Sequence, residues 1–233
     1  MESLIHALSI KTILYHFSWG TGYDLSYIEA IGTVFGLLCI WYASKEKRFN
    51  FYYGLINVTL FAIIFYQIQL YANLLLQVFF FVMNVYGLYA WGRDSGSNEL
   101  KIHWLSRRNL LLTIIISLVA IIILTNYINQ FFGTLTIITI KALQLVVPSL
   151  TMPELQPDPY PLMDSAVTVL SVVAMILMTR KAVENWLIWV LINLISIVLY
   201  AMQGVYFMSL EYVILAFIAL NGSIEWIKAA QQN

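Results

Sequence analysis

The stretches 50-NFYYGLIN-57 and 185-NWLIWVLIN-193 begin alike at an offset of 135 residues, Asn50 opposite Asn185 and Phe51 opposite Trp186. At the same offset Glu29 meets Asp164, 33-TVFG-36 meets 168-TVLS-171, Tyr71 meets Tyr206, Gly87 meets Gly222 and Trp91 meets Trp226. One inserted residue in the second stretch brings 55-LIN onto 191-LIN and pairs Asn57 with Asn193. Such a pattern reads as one structural unit used twice.

The unit belongs in lipid. Of 233 residues, 61% are hydrophobic and 10% charged, against about a quarter charged in a soluble domain. Asn109 to Ile140 carries no charge at all. Runs of this kind exceed the ~20 residues needed to cross a ~30 Å hydrocarbon core, and they lack the alternation of barrel strands, so they read as helices. The net charge of zero offers no basic face for nucleic acid. Cys39, the single cysteine, sits in an apolar run and reads as a small buried hydrophobe.

Hydropathy predicts seven membrane helices at 27–44, 50–68, 73–91, 109–128, 164–180, 186–203 and 209–226. Threading seven spans puts 45-KEKR-48, the segment 92–109, Arg180 and Lys181, and Lys228 on one side. That side then holds ten of the twelve Lys and Arg residues, Lys11 and Lys141 excepted, which makes it and the C-terminus cytoplasmic. The apolar segment 134–147 is short and contains Lys141; as a span it would move Arg180 and Lys181 outside, so it reads as interfacial or re-entrant. All five prolines lie in 148-PSLTMPELQPDPYP-161, an external loop.

Glu2, His6, Lys11 and His16 interrupt any signal-peptide core. Ile10, Ile13, Leu14 and Phe17 share one helical face, which predicts an amphipathic helix on the membrane surface; a partial extra span is the alternative. The expected fold is therefore all-α and integral to the membrane. Its layout is an N-terminal segment at 1–25, a three-helix bundle at 26–91, a cytoplasmic loop at 92–108 and a linker helix at 109–128. An external loop at 129–163, a second bundle at 164–226 and a cytoplasmic tail at 227–233 follow. Three helices, one linker and three more give both bundles the same orientation, the parallel-repeat arrangement of some transporters, whose solute sites lie near the midplane.

At 100° per residue, Trp186, Trp189, Asn193, Ser196 and Tyr200 fall within about 80° of one another, opposite an aliphatic face. Asn73, Gln77, Phe80, Asn84, Gly87 and Trp91 form a similar stripe on the third helix. Asn57, with Tyr53 and Gln67, gives a sparser one on the second. An interfacial tryptophan belt with amides as interhelical glue is the competing reading. A lined cavity accounts for the whole stripe. Glu29, Asp164, Glu211 and Glu225 stand at span ends, where acids are ordinarily solvated.

The sequence has no phosphate-binding G-x-x-x-x-G-K-[ST] loop, and His6, His16, His103 and Cys39 lack metal-site spacing, so no cofactor is expected. No acid or histidine falls near mid-membrane to relay protons, which favours a facilitator over a pump. Indoles suit a flat ring, and a cationic one gains further from their faces, while amides suit its polar groups. The stripes carry no Lys or Arg to pair a phosphate.

The segments 71-YANLLLQVFFFVMNVYGLYAWGR-93, 153-PELQPDPYPLMDS-165 and 184-ENWLIWVLINLISIVLYAMQGVY-206 resemble the Pnu vitamin transporters, and among them those for nicotinamide riboside. The resemblance runs from 22-GYDLSYIEAIG-32 to 219-ALNGSIEW-226. It implies two three-helix bundles joined by a linker helix, a relation to the SWEET sugar transporters, a homotrimer, and location in the bacterial inner membrane. The implied activity is facilitated diffusion of the vitamin B3 nucleoside for NAD biosynthesis, with trapping by a separate intracellular kinase and no enzymatic activity of the chain itself. Trp186, Trp189 and Asn193 match the family's binding motif, and Gln77 and Asn84 its polar positions on the third helix. Thiamine transporters share the scaffold, and thiamine is also a flat cation.

Overall fold

The computed structural model describes residues 8–18, 22–92 and 100–232. Glu2, His6 and Arg93, used in the sequence reading, lie outside the described residues. The chain folds into a short hairpin, β1 (Ile13–Phe17) with β2 (Tyr23–Ser26), and seven helices: α1 (Tyr27–Ser44), α2 (Asn50–Gln67), α3 (Tyr71–Ala90), α4 (Arg107–Gln144), α5 (Pro161–Thr179), α6 (Glu184–Met202) and α7 (Tyr206–Gln232). All but α2 are long and apolar enough to cross a membrane. Large aliphatic side chains such as Leu111, Ile116 and Ile122 are exposed along α4, as a lipid-facing surface requires.

Local chemistry sets several helix ends. The Ser26 hydroxyl accepts the backbone N–H of Glu29 at the start of α1, and the Ser106 hydroxyl that of Asn109 at the start of α4. Pro161 opens α5, where its missing N–H costs nothing.

Within each bundle consecutive helices pack in sequence, α1 on α2 on α3 and α5 on α6 on α7. Across the bundles α1 packs on α7 and α3 on α5, contacts that exchange with each other when the halves are swapped; α4 lies against α3 and α5. The correspondence reaches the backbone. Glu46 and Lys181, 135 residues apart, both turn the chain with positive φ, 55° and 56°; so do Gln69 and Gly204, with 61° and 78°. Asn50 donates from Nδ2 to the Lys47 carbonyl at 2.7 Å, and its counterpart Asn185 to the Ala182 carbonyl at 2.6 Å.

These fixed points correct the alignment. The segments between the paired turns have equal length, and each holds one uninterrupted helix, so no inserted residue is needed. Asn57 corresponds to Ile192, and Asn193 to Val58.

Two further expectations change. The segment around 13–17 is a strand, not an amphipathic helix: its β-branched and aromatic residues pair with β2, and Gly22 supplies a positive φ of 78° just ahead of that second strand. The hairpin is anchored by Phe207, whose ring lies 4.5 Å from Phe17 and 5.0 Å from Tyr23, and by Gln67, which donates to the Leu8 carbonyl and accepts from the Ile10 N–H. The linker helix does not stop at 128 with a separate interfacial segment at 134–147; α4 runs unbroken for 38 residues. That is about 57 Å at 1.5 Å per residue, so Lys141 lies in a helix longer than the ~30 Å core and requires no break. The helix ends ahead of Pro148, which cannot continue it.

Candidate functional site

A cavity of about 240 Å³ lies between the two bundles. From α6 it receives Trp186, Trp189 and Asn193; from α3, Gln77, Phe80 and Asn84; from α2, Gly54, Asn57 and Val58. The opposing stripes of α3 and α6 thus meet around one space.

Each wall is built twice. Phe51 lies over Gly87, where an added Cβ would come within 2.2 Å of the ring, and it meets Trp91 edge-on at 4.9 Å. Its counterpart Trp186 lies over Gly222, where a Cβ would come within 2.6 Å, and it meets Trp226 at 5.8 Å and 74°. Trp91 and Trp226 contact each other at 5.8 Å, joining the two halves, and the Trp226 indole N–H donates to the Ala43 carbonyl at 3.2 Å. Only glycine lets the aromatic rings approach the helix backbone this closely at 87 and 222.

The eight side chains expected at the site divide. Trp186 is 1% exposed and held on several sides, so it forms the closed floor of the cavity; Trp189 is half-buried, with ring surface still available. Asn193 is 5% exposed. Neither it nor Gln77 forms a side-chain hydrogen bond to any described residue, which leaves their amides free for a solute. Asn84 donates from Nδ2 to the Phe80 carbonyl at 2.8 Å, one turn back on its own helix, and keeps its second N–H and its carbonyl oxygen. Asn57 lines the cavity but donates to the Gly32 carbonyl at 2.8 Å, a tie between α2 and α1. Tyr53 packs between Phe35 at 6.0 Å and Tyr42 at 5.2 Å and does not line the cavity. Tyr200 is also absent from the lining; it stacks at 5.2 Å, nearly parallel, on Tyr212, which does line it.

Sequence reading missed Tyr212, Met175, Met178 and Cys39, all in the lining. The offset of 135 held a signal for one of them: Tyr212 is the counterpart of Gln77. Cys39 carried no such signal.

Among the described residues no Lys, Arg, Asp or Glu lines the cavity. Glu211 and Glu29 lie toward the hairpin end, Glu211 bonded to Thr33 and Glu29 receiving the Tyr23 hydroxyl. No group of three metal-binding side chains exists among the described residues. The site is therefore a neutral, aromatic and amide-lined chamber, able to hold a flat polar solute and without a cation to pair with phosphate.

The profile of a family described as nicotinamide mononucleotide transporters matches residues 26–228. The nicotinamide riboside transporter PnuC of Escherichia coli is 57% identical over 228 residues, covering 97% of this chain and 95% of that protein. A PnuC of Neisseria mucosa, also a nicotinamide riboside transporter, is 24% identical over 99% of this chain and 81% of its own length. A crystal structure of the vitamin B3 transporter PnuC superposes with a TM-score of 0.63, 22% identity and coverage of 88% of this chain and 83% of that one, a likeness of fold.

Proposed function

Because the chain belongs to the nicotinamide mononucleotide transporter family, a family of multi-pass membrane transporters rather than enzymes, we propose that its solute is nicotinamide riboside. The observation that carries this reading is the neutral cavity with the half-buried Trp189 ring and the unbonded amides of Gln77 and Asn193. A nicotinamide ring bearing a ribose is a flat cation. It gains roughly 0.5–2 kcal/mol on an indole face, and its carboxamide and hydroxyls answer the amides. The phosphate of the mononucleotide would enter without a charge partner, a cost of several kcal/mol, so the unphosphorylated nucleoside fits better than the solute in the family's description.

The transport is facilitated diffusion. Among the described residues no carboxylate or histidine lines the cavity to couple a proton, so net uptake draws on phosphorylation by a separate intracellular kinase, which feeds NAD biosynthesis. The chain resides in the bacterial inner membrane as a homotrimer. Its Lys- and Arg-rich end, with the C-terminus, faces the cytoplasm, in keeping with the positive-inside rule.

Uptake of labelled nicotinamide riboside into proteoliposomes tests the reading, with unlabelled thiamine, nicotinamide and nicotinamide mononucleotide as competitors. The expected result is equilibration of the riboside, unaffected by proton or sodium gradients and unaffected by the mononucleotide. Competition by thiamine with no uptake of the riboside would overturn the solute. Uphill accumulation in empty vesicles would overturn the mechanism.

A further inference from the structure

Gly54 lies in the second turn of α2, past the N-terminal cap, where glycine weakens a helix by roughly 0.5–1 kcal/mol relative to alanine. Its backbone is helical, without the positive φ that requires glycine, so backbone conformation does not account for it. The missing side chain does. A Cβ at this position would lie 2.2 Å from Asn84 Oδ1, 2.9 Å from its Cγ and 3.2 Å from Cys39 Sγ. The Asn84 amide therefore fills the volume that any other residue at 54 would claim, at a point where α1, α2 and α3 converge on the cavity.

Asn84 cannot swing aside without loss. It is 4% exposed, and its Nδ2 is held to the Phe80 carbonyl at 2.8 Å. An alanine at 54 would have to push a buried amide off that bond, leaving polar atoms without partners. The counterpart of Gly54 in the other half is Trp189, and both line the same cavity. The largest side chain thus stands at one position and none at its mate, which makes a chamber built from two similar halves strongly one-sided.

We infer that Gly54 is a positioning and specificity-determining residue: having no side chain, it seats the Asn84 amide against the cavity, and the amide at this position where the other half carries Trp189 makes the two walls unlike, which fixes which way round an asymmetric solute lies. This rests on the reading of the cavity as the nicotinamide riboside site. A solute without two-fold symmetry is held in a single orientation only where the two walls differ, because two equivalent walls would accept it equally in two.

The experiment uses full-length protein in detergent and in proteoliposomes, with nicotinamide riboside as the probe. Gly54→Ala, Asn84→Ala and the double variant are compared with the unaltered chain by calorimetric affinity, by the ligand-induced rise in Tm, and by apparent KM and maximal uptake rate. The expected result for Gly54→Ala is affinity about tenfold weaker, a correspondingly smaller ligand-induced Tm rise, and a raised KM with maximal rate little changed. Asn84→Ala and the double variant should agree within about twofold, since once the amide is gone the methyl group added at position 54 meets only Cys39 Sγ at 3.2 Å, a contact that a shift of a few tenths of an ångström relieves.

A purely structural glycine would lower Tm without ligand but leave the ligand-induced rise intact, and that result overturns the inference. So does a double variant about tenfold weaker than Asn84→Ala. Should Gly54→Ala fail to fold, the comparison of Asn84→Ala with the double variant decides alone, because the shortened side chain removes the clash. Failure of the unaltered, folded chain to bind the riboside would instead overturn the functional reading, and would be seen before any variant is made.

Discussion

Glu46 and Lys181 occupy equivalent positions in the two halves, and their side chains meet in an ion pair at 2.5 Å. Each sits in the left-handed turn that ends the first helix of its bundle. The Lys181 side chain is 8% exposed and Glu46 39%, and the Lys181 ammonium also lies 5.1 Å from the Trp91 ring. The contact joins the bundles at their basic end, beside the Trp91–Trp226 pair.

Removing Glu46 leaves the buried ammonium, among the described residues, with only an aromatic face. Glu46→Gln should lower stability by about 1–3 kcal/mol, less than the roughly 3–5 of a fully buried pair because Glu46 is partly in water. Thermal unfolding in detergent checks this. Lys181→Met should cost less than Glu46→Gln, since it strands no buried charge, and a double-mutant cycle should give a clear coupling between the two sites.

The two tryptophans of α6 should separate by type of defect. Trp189→Ala, which removes an available ring face, should weaken riboside affinity by about two- to thirtyfold, and should cost less stability than loss of the fully buried Trp186 because Trp189 is only half-buried against the core. Trp186→Ala, which empties a closed pocket against Gly222 and Trp226, should cost about 3–5 kcal/mol of stability. Calorimetry and thermal unfolding on the same preparations distinguish the outcomes, and equal effects on affinity alone would contradict this division.

Gly87 and Gly222 should behave as a pair. A methyl group at either must displace a packed ring, Phe51 or Trp186, and should destabilise by about 1–3 kcal/mol. Gly222→Ala should also impair uptake, because Trp186 forms the cavity floor, whereas Gly87→Ala acts on Phe51, which does not line it. Proteoliposome uptake normalised to folded protein measures the difference.

The hairpin should detach without unfolding the bundle. Phe207 holds both strands, so Phe207→Ala removes two aromatic contacts of about 0.5–1.5 kcal/mol each. Limited proteolysis should then cut near 13–26 at a protease concentration that leaves the parent chain intact, with the global Tm shifted by only a few degrees.

The spans and the doubling were legible because lipid imposes a strong apolar signal and because Gly87, Trp91, Gly222 and Trp226 share one packing solution. The hairpin was not: Ile10, Ile13, Leu14 and Phe17 fit a helical face, and pairing with Tyr23–Ser26 is a non-local event that local spacing does not encode. The end of α4 was hidden by Lys141, which forbids a lipid-buried turn but not a helix that outlasts the membrane. At the site, angular spacing brought Trp186, Trp189, Asn193, Gln77 and Asn84 to one cavity. It failed for Tyr53 and Tyr200, whose rings are taken up by neighbouring aromatics. The mistaken pairing of Asn57 with Asn193 came from matching letters in a helix whose register is set at its ends.

The length of α4 has a practical use. About 57 Å of helix exceeds even the ~40–45 Å of a bilayer with its headgroups, so a turn or more stands clear in water, followed by the segment 145–160 before α5. In the proposed orientation, with the basic end cytoplasmic, this mast lies on the outer face. A short epitope inserted between Val147 and Pro157 would be reached by antibody on intact spheroplasts, and would give sidedness and copy number while uptake continued.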